Sequence, residues 1–147
     1  MSKKIVIANW KMNPVSVAEA RSLAEATDND NLVICPPFPF LESVRGVIKK
    51  AHLGAQDLFW KNMTGPFTGE VSAAELKSLG VEYVIIGHSE RRKLGETNEM
   101  ISQKLAAALE SGLVPILCVG ETLEQKNSGK NLLLKEKVRG QLAHFPR

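Results

Sequence analysis

Long apolar runs, a dominant charge sign and a cysteine framework are all missing from this sequence. No stretch approaches the roughly 20 consecutive apolar residues that a membrane helix needs, so no membrane partner is expected. Basic and acidic side chains number 19 and 16, for a net charge of +3. They are scattered, and no Lys/Arg cluster marks a nucleic-acid surface. The cysteines, Cys35 and Cys118, lie far apart inside apolar runs. That usage fits buried free thiols in a reducing compartment and gives no reason to expect a disulfide. Met1-Ser2-Lys3-Lys4 leads into a brief apolar stretch, Ile5-Val6-Ile7-Ala8, too short for the core of a secretory signal. A cytoplasmic protein is therefore expected. No Gly-x-Gly-x-x-Gly or Gly-x4-Gly-Lys-Ser/Thr element follows the first apolar run, so the usual nucleotide-binding signature is absent.

What is present is alternation. Short apolar runs at Lys4–Asn9, Leu32–Cys35, His52–Gln56, Tyr83–Gly87 and Pro115–Val119 read as strands. Most are continuously apolar, the pattern of strands covered on both faces. Between them lie segments of helical period. Ser16-x-x-Glu19 precedes Val17, Ala20, Leu23 and Ala24, and Ser72-x-x-Glu75 precedes Leu76 and Leu79; both read as capping boxes. Thr97 can cap a helix carrying Ile101, Leu105, Ala108 and Leu109, stopped by Gly112. Helices are also expected from about Phe40 to Lys50 and from about Asn131 to Leu142. No hairpin signal joins the strands, so they must run parallel with right-handed crossovers. A chain of 147 residues fits one domain, spanning 1–147. The pattern leaves two architectures open: a doubly wound open sheet, or part of a (β/α)8 barrel.

In parallel α/β folds, chemistry gathers past the C-terminal ends of the strands. Polar residues stand at these ends: Asn9-Trp10-Lys11-Met12-Asn13, Gln56-Asp57, Gly87-His88-Ser89-Glu90-Arg91-Arg92 and Gly120-Glu121. Lys11 and His88 at two ends of one sheet can converge on a small anionic or carbonyl compound. Lysine would supply fixed positive charge, and histidine a donor or proton shuttle. The plain alternative makes Lys11 a solvated loop residue, Asn9 a turn former, His88 a satisfied core histidine and Glu90 a surface partner of Arg91 or Arg92. Trp10, Met12 and Trp60 read as packing residues. Neither cysteine has a local basic partner that would make it a nucleophile.

Taken together, Asn9-Trp10-Lys11, Gly54-Ala55-Gln56, Thr68-Gly69-Glu70, Gly87-His88-Ser89-Glu90-Arg91-Arg92 and Cys118-Val119-Gly120-Glu121 resemble the successive motifs of the triosephosphate isomerase family. They occur in the family's order from about Lys4 to Gln141. One departure is Asp57, where the family often has an amide. The resemblance implies an α/β fold, an incomplete (β/α)8 TIM barrel of about five parallel β/α units. It further implies interconversion of dihydroxyacetone phosphate and glyceraldehyde 3-phosphate, a step of glycolysis and gluconeogenesis, without metal or organic cofactor. This family is itself the standard illustration of a glutamate base, a neutral histidine electrophile and a closing loop. Carried over by motif, Lys11 and Asn9 would bind substrate, His88 would polarise the carbonyl and shuttle protons, and Glu90 would tune the site.

The family's base lies after the sixth strand, in a motif resembling Ala-Tyr-Glu-Pro-Val-Trp, and its phosphate group is held by later loops. None of these is found among the 147 residues. Glu70 and Glu121 lie on other loops, where reaching the substrate carbon from the required side is not expected. The expectation is a chain inactive by itself. A five-stranded piece of a barrel leaves two strand edges unpaired, so homo-oligomerisation is expected through those edges and through the Trp60–Glu70 loop, which in the family enters a second subunit. Two alternatives stand beside this: the N-terminal half of a split isomerase completed by a separate C-terminal barrel fragment, and a small-anion binding module.

Overall fold

The structure, a computed structural model, describes residues 4–61, 63–120 and 127. Five strands, β1 (Val6–Asn9), β2 (Leu32–Cys35), β3 (His52–Ala55), β4 (Tyr83–Ile86) and β5 (Val114–Leu117), form one parallel sheet in sequence order. The sheet curls into part of a barrel. Neighbouring strands consecutive in sequence and parallel in space require a crossover each time. Four helices make most of these returns: α1 (Val17–Thr27), α2 (Leu41–Arg45), α3 (Ala73–Ser78) and α5 (Asn98–Glu110). A one-turn helix, α4 (Ser89–Lys93), lies between β4 and α5.

Strand parity sorts the core into two layers. Ile34, Leu53, Ala55, Val84 and Ile86 face the helices and pack with Ala20, Ala24, Leu41, Val44, Leu76, Ile101, Leu105 and Ala108. Val33, Cys35 and Ile85 form a second cluster with Tyr83, Ile116 and Cys118. Residues one apart on β2 thus serve opposite faces, as the twofold repeat of a strand demands. Gly54 makes room for this second layer. A Cβ there would stand 2.4 Å from Cys35 Sγ and 2.8 Å from Val33 Cγ1.

The helix starts form where the capping residues lie. Ser72 Oγ accepts the Glu75 N–H while the Glu75 carboxylate accepts the Ser72 N–H, a complete capping box. Ser16 and Thr97 accept the N–H groups of Glu19 and Met100. Gly112 follows α5 at φ 69°, a left-handed position that glycine takes without a steric penalty.

Three expectations need correction. The single helix from Phe40 to Lys50 is instead a 3-10 turn at Phe38–Phe40 followed by the short α2. The Asp28 carboxylate, at the end of α1, accepts the backbone N–H groups of Lys49 (2.8 Å), Lys50 (3.0 Å) and Ala51 (2.7 Å). Those are donors a longer helix would have used. Strand β1 is not covered on both faces: Ile5 and Val6 are exposed, because β2 is its sole strand neighbour among the described residues. Met12 does not pack within the chain and is 88% exposed, whereas Trp10 packs on the main core and Trp60 stacks on Phe59 with centroids 4.2 Å apart. The expected helix over Asn131–Leu142 and the Glu121 position lie outside the described residues. No helix among those described is long and apolar enough to cross a membrane.

Candidate active site

The C-terminal ends of β1 and β4 meet through one ion pair. Lys11 Nζ donates to Glu90 Oε1 at 2.7 Å, joining residues 79 apart in sequence. Both side chains are about half exposed, so the pair is a geometric link and contributes little to stability. The Lys11 ammonium, bonded to Glu90, holds that carboxyl below the usual carboxylate range. Glu90 is therefore ionised at neutral pH, and its partner is Lys11, not the neighbouring arginines.

Lys11 has the left-handed backbone conformation, φ 56°, alone among the described non-glycine residues. Such a conformation costs a side-chain-bearing residue about 1–2 kcal/mol. Hydrogen bonds to both of its peptide groups offset that cost. The Lys11 N–H donates to Asn9 Oδ1 at 2.9 Å, and the Lys11 carbonyl accepts from Gln56 Nε2 at 2.8 Å. Asn9 thus forms an Asx turn, as its plain turn-former reading has it, and closes a local ring around the residue carrying the charge.

His88 caps α4. Its Nδ1 accepts the Glu90 N–H at 3.2 Å. A ring nitrogen that accepts carries no proton, so the neutral imidazole holds its proton on Nε2. Glu90 Oε2 also lies 3.6 Å from Nδ1. The amide N–H is the nearer and directed partner of Nδ1, which leaves Nε2 as the donor. With a quarter of the side chain exposed, His88 can offer Nε2–H to a small molecule above the strand ends.

Behind α4 lies a group of four charges, buried at Asp57, Glu96 and Lys104 and partly exposed at Arg91, that the sequence reading did not single out as a unit. Lys104 Nζ donates to both oxygens of Asp57 (2.7 and 2.8 Å) and also contacts Glu96. Arg91 Nε lies 2.7 Å from Asp57 Oδ2 and 3.2 Å from Glu96 Oε1. Two cations and two carboxylates balance in charge, as buried ions must. Burial pushes the Asp57 carboxyl up, against the pull of Lys104 and Arg91. The group ties the end of β3, helix α4 and helix α5 together, and so fixes the segment that carries His88 and Glu90. Arg92 turns inward as well, donating from Nε to the Gly87 carbonyl at 2.7 Å and from Nη1 to Asn98 Oδ1 at 2.8 Å. The surface cluster of Glu90, Arg91 and Arg92 that the plain alternative offered does not form.

Of the site residues read from sequence, Asn9, Lys11, His88 and Glu90 are brought together at the strand ends. Glu70 belongs to the loop after β3, which folds as Phe67 packs on Phe59 with centroids 4.9 Å apart, while Met63 is 81% exposed. Cys35 is fully buried and burial pushes its thiol up to about 12; Cys118, half-buried, is also raised by burial. Neither is in a disulfide.

Parallel β/α units curled into part of a barrel, with a lysine and a histidine brought to the C-terminal strand ends, define a barrel-type α/β protein. Comparison with known proteins makes this specific. The family model for triosephosphate isomerase matches residues 4–146, and the chain belongs to that family. It is 45% identical over 139 residues to a triosephosphate isomerase of Alkaliphilus metalliredigens, covering 88% of this chain and 55% of the relative. A triosephosphate isomerase of Cytophaga hutchinsonii is 46% identical over 140 residues, with the same coverage. The crystal structure of triosephosphate isomerase from Bartonella henselae superposes with a TM-score of 0.85 at 34% identity, over 95% of this chain and 61% of that one. The chain thus spans about half the length of the relatives it matches.

Proposed function

We propose that the chain supplies the lysine–histidine side of a triosephosphate isomerase site, acting on dihydroxyacetone phosphate and glyceraldehyde 3-phosphate in the cytoplasm. The observation that carries this reading is the Lys11–Glu90 bond at 2.7 Å beside a His88 whose Nδ1 is occupied by a backbone donor. In the reaction, a base removes a proton from the carbon beside the carbonyl, and the resulting enediolate takes it back at the neighbouring carbon. His88 Nε2–H donates to the oxygen on which negative charge grows. A donor aimed at that position contributes about 100- to 1000-fold in rate. Lys11 holds the anionic substrate and offsets the developing charge, and Asn9 assists it. Glu90 keeps the Lys11 ammonium over the strand ends when no substrate is bound.

The base is a separate matter. Glu90 is tied to Lys11, and Glu70 stands on the loop after β3. A polypeptide of these 147 residues is therefore inactive by itself and self-associates. The exposure of Val6 on β1, of Met12 beside the site and of Met63 on the Trp60–Glu70 loop supports self-association. The half-length match to the relatives favours a second reading, in which a C-terminal barrel fragment on a separate chain completes the enzyme. The half-exposed Lys11 leaves a third, a small-anion binding module.

One experiment separates them: isomerase turnover and solution mass are measured for the chain alone and after mixing with a polypeptide carrying the family's Glu-containing motif and phosphate loops. No turnover from an oligomer is the expected result for the chain alone. Turnover in the mixture favours the split enzyme. Saturable binding of glycerol 3-phosphate with no turnover in either case favours the binding module. Robust turnover from the chain alone, with host isomerase excluded, overturns the proposal.

A further inference from the structure

Gln56 ends the Gly54-Ala55-Gln56 motif just past β3, yet the reaction assigns it no chemistry. Both hydrogens of its Nε2 are in use. One goes to the Lys11 carbonyl at 2.8 Å and the other to the Cys35 carbonyl at 2.9 Å. Two carbonyl partners also settle which end of the amide carries the nitrogen, since an oxygen there could accept nothing from either. The Cys35 carbonyl accepts the Trp10 N–H as well, at 3.1 Å. Gln56 therefore joins the ends of three strands: it stands after β3, holds the last residue of β2, and reaches the residue two past the end of β1.

We infer that Gln56 is a positioning residue for Lys11, keeping that residue left-handed so that its ammonium reaches Glu90 and the substrate. The assignment rests on the proposed use of Lys11 as the substrate-holding group. The Asn9 side chain fixes the N–H side of Lys11 and Gln56 fixes the carbonyl side. Asn9 and Lys11 lie two residues apart on one strand end, so their bond can travel with the loop as a unit. The bond from Gln56 comes from a different strand, 45 residues away, and registers Lys11 itself against the sheet, next to the bond that ties Trp10 to β2. Without it the backbone of Lys11 is free to leave φ 56° for an ordinary conformation, and the direction of its side chain changes with it. No apolar residue can replace the amide, because two carbonyls would then lose a donor.

The test uses the full chain and two variants, Gln56→Leu and the unbranched Gln56→Met. Each lysine is trace-labelled with acetic anhydride, and the ratio of Lys11 to exposed Lys61 is read by peptide mass spectrometry. Release of Lys11 from Glu90 should raise that ratio about threefold in both variants, as loss of roughly one net hydrogen bond implies. The Glu90 carboxyl, followed by carbon NMR, should return toward its ordinary titration range. Asp28→Ala, which loosens the fold elsewhere, should lower the unfolding midpoint with no change in the ratio. An unchanged Lys11 ratio in both Gln56 variants overturns the assignment, as does an equal rise in Asp28→Ala. A separate arm adds glycerol 3-phosphate to the unaltered chain mixed with the polypeptide that carries the family's Glu-containing motif and phosphate loops. If it fails to protect Lys11, the substrate-holding reading falls, while the labelling ratio still decides whether Gln56 positions the lysine.

Discussion

Asp28 offers the sharpest test of how the fold is held. Its carboxylate takes three consecutive backbone donors, Lys49, Lys50 and Ala51, at 2.7–3.0 Å. It thereby closes the end of α1 onto the segment that enters β3. A hydrogen bond to a charged group contributes roughly 1.5–3 kcal/mol. Three bonds to one carboxylate share a single charge, and the site is open enough for water to replace part of the loss. Asp28→Ala should therefore destabilise the chain by about 2–3 kcal/mol, and Asp28→Asn, which keeps one acceptor oxygen, by about 1 kcal/mol. Urea denaturation at fixed protein concentration measures both, since self-association would otherwise shift the midpoint. The pH dependence provides a second reading. The bonds from Ala51, Lys49 and Lys50 outweigh desolvation and hold the Asp28 carboxyl below its ordinary value. Its folded value lies below its unfolded one, so its stabilisation is complete above the unfolded value, roughly pH 4. It is lost as pH falls through the folded value. In Asp28→Asn that part of the acid limb should disappear. A change under 0.5 kcal/mol for Asp28→Ala, taking the ordinary range for featureless surface substitutions as about that size, would refute the reasoning.

Three further outcomes follow from the same geometry. Lys11→Met should abolish any turnover regained by mixing with a complementing polypeptide, measured by coupled assay, and leave the solution mass of the chain unchanged. Lys104→Met leaves Asp57 and Glu96 buried without their shared ammonium, and should cost about 3–5 kcal/mol in a urea titration, as removal of one member of a buried charge group does. Cys35, fully buried and with its thiol pushed up to about 12, should resist a disulfide reagent at pH 8 in the folded chain and react after unfolding.

Much of this was legible in the sequence, for reasons that particular residues make plain. Continuous apolar runs gave all five strands, and the capping serines and threonine gave the starts of three helices, because these are local signals. Asn9, Lys11, His88 and Glu90 could be read because each lies in a run of motif residues at a strand end. What escaped was the pairing between distant residues. Nothing near Asp28 announces that it will take donors 21–23 positions later, and without that the segment to Lys50 reads as helix. Asp57 read as a minor departure from a motif, although it binds the buried Lys104 and the partly exposed Arg91. A signal for its partner did exist: Lys104 stands three residues after Ile101 and four before Ala108, on the buried stripe of α5. A lysine placed there must find carboxylates or leave the core. Helix α4 went unread because its residues are nearly all charged, and its turn is held by the His88 cap and by Arg91 binding inward.

The site and an exposed edge of the described sheet share a strand. His88 and Glu90 sit on α4, which is anchored from behind by Arg91, Asp57, Glu96 and Lys104 and from below by Arg92. Lys11 follows β1, whose one strand neighbour among the described residues is β2 and whose Ile5 and Val6 are exposed. One side of the ion pair is therefore rigid, and the other depends on four β1–β2 residue pairings and on Gln56. Any surface that covers β1, whether a second copy or a complementing chain, would bury Ile5 and Val6 and steady the strand that carries Lys11. Under the proposed association, covering the edge and steadying Lys11 are the same physical event, so a strand edge that is a liability in isolation would serve the proposed site once covered.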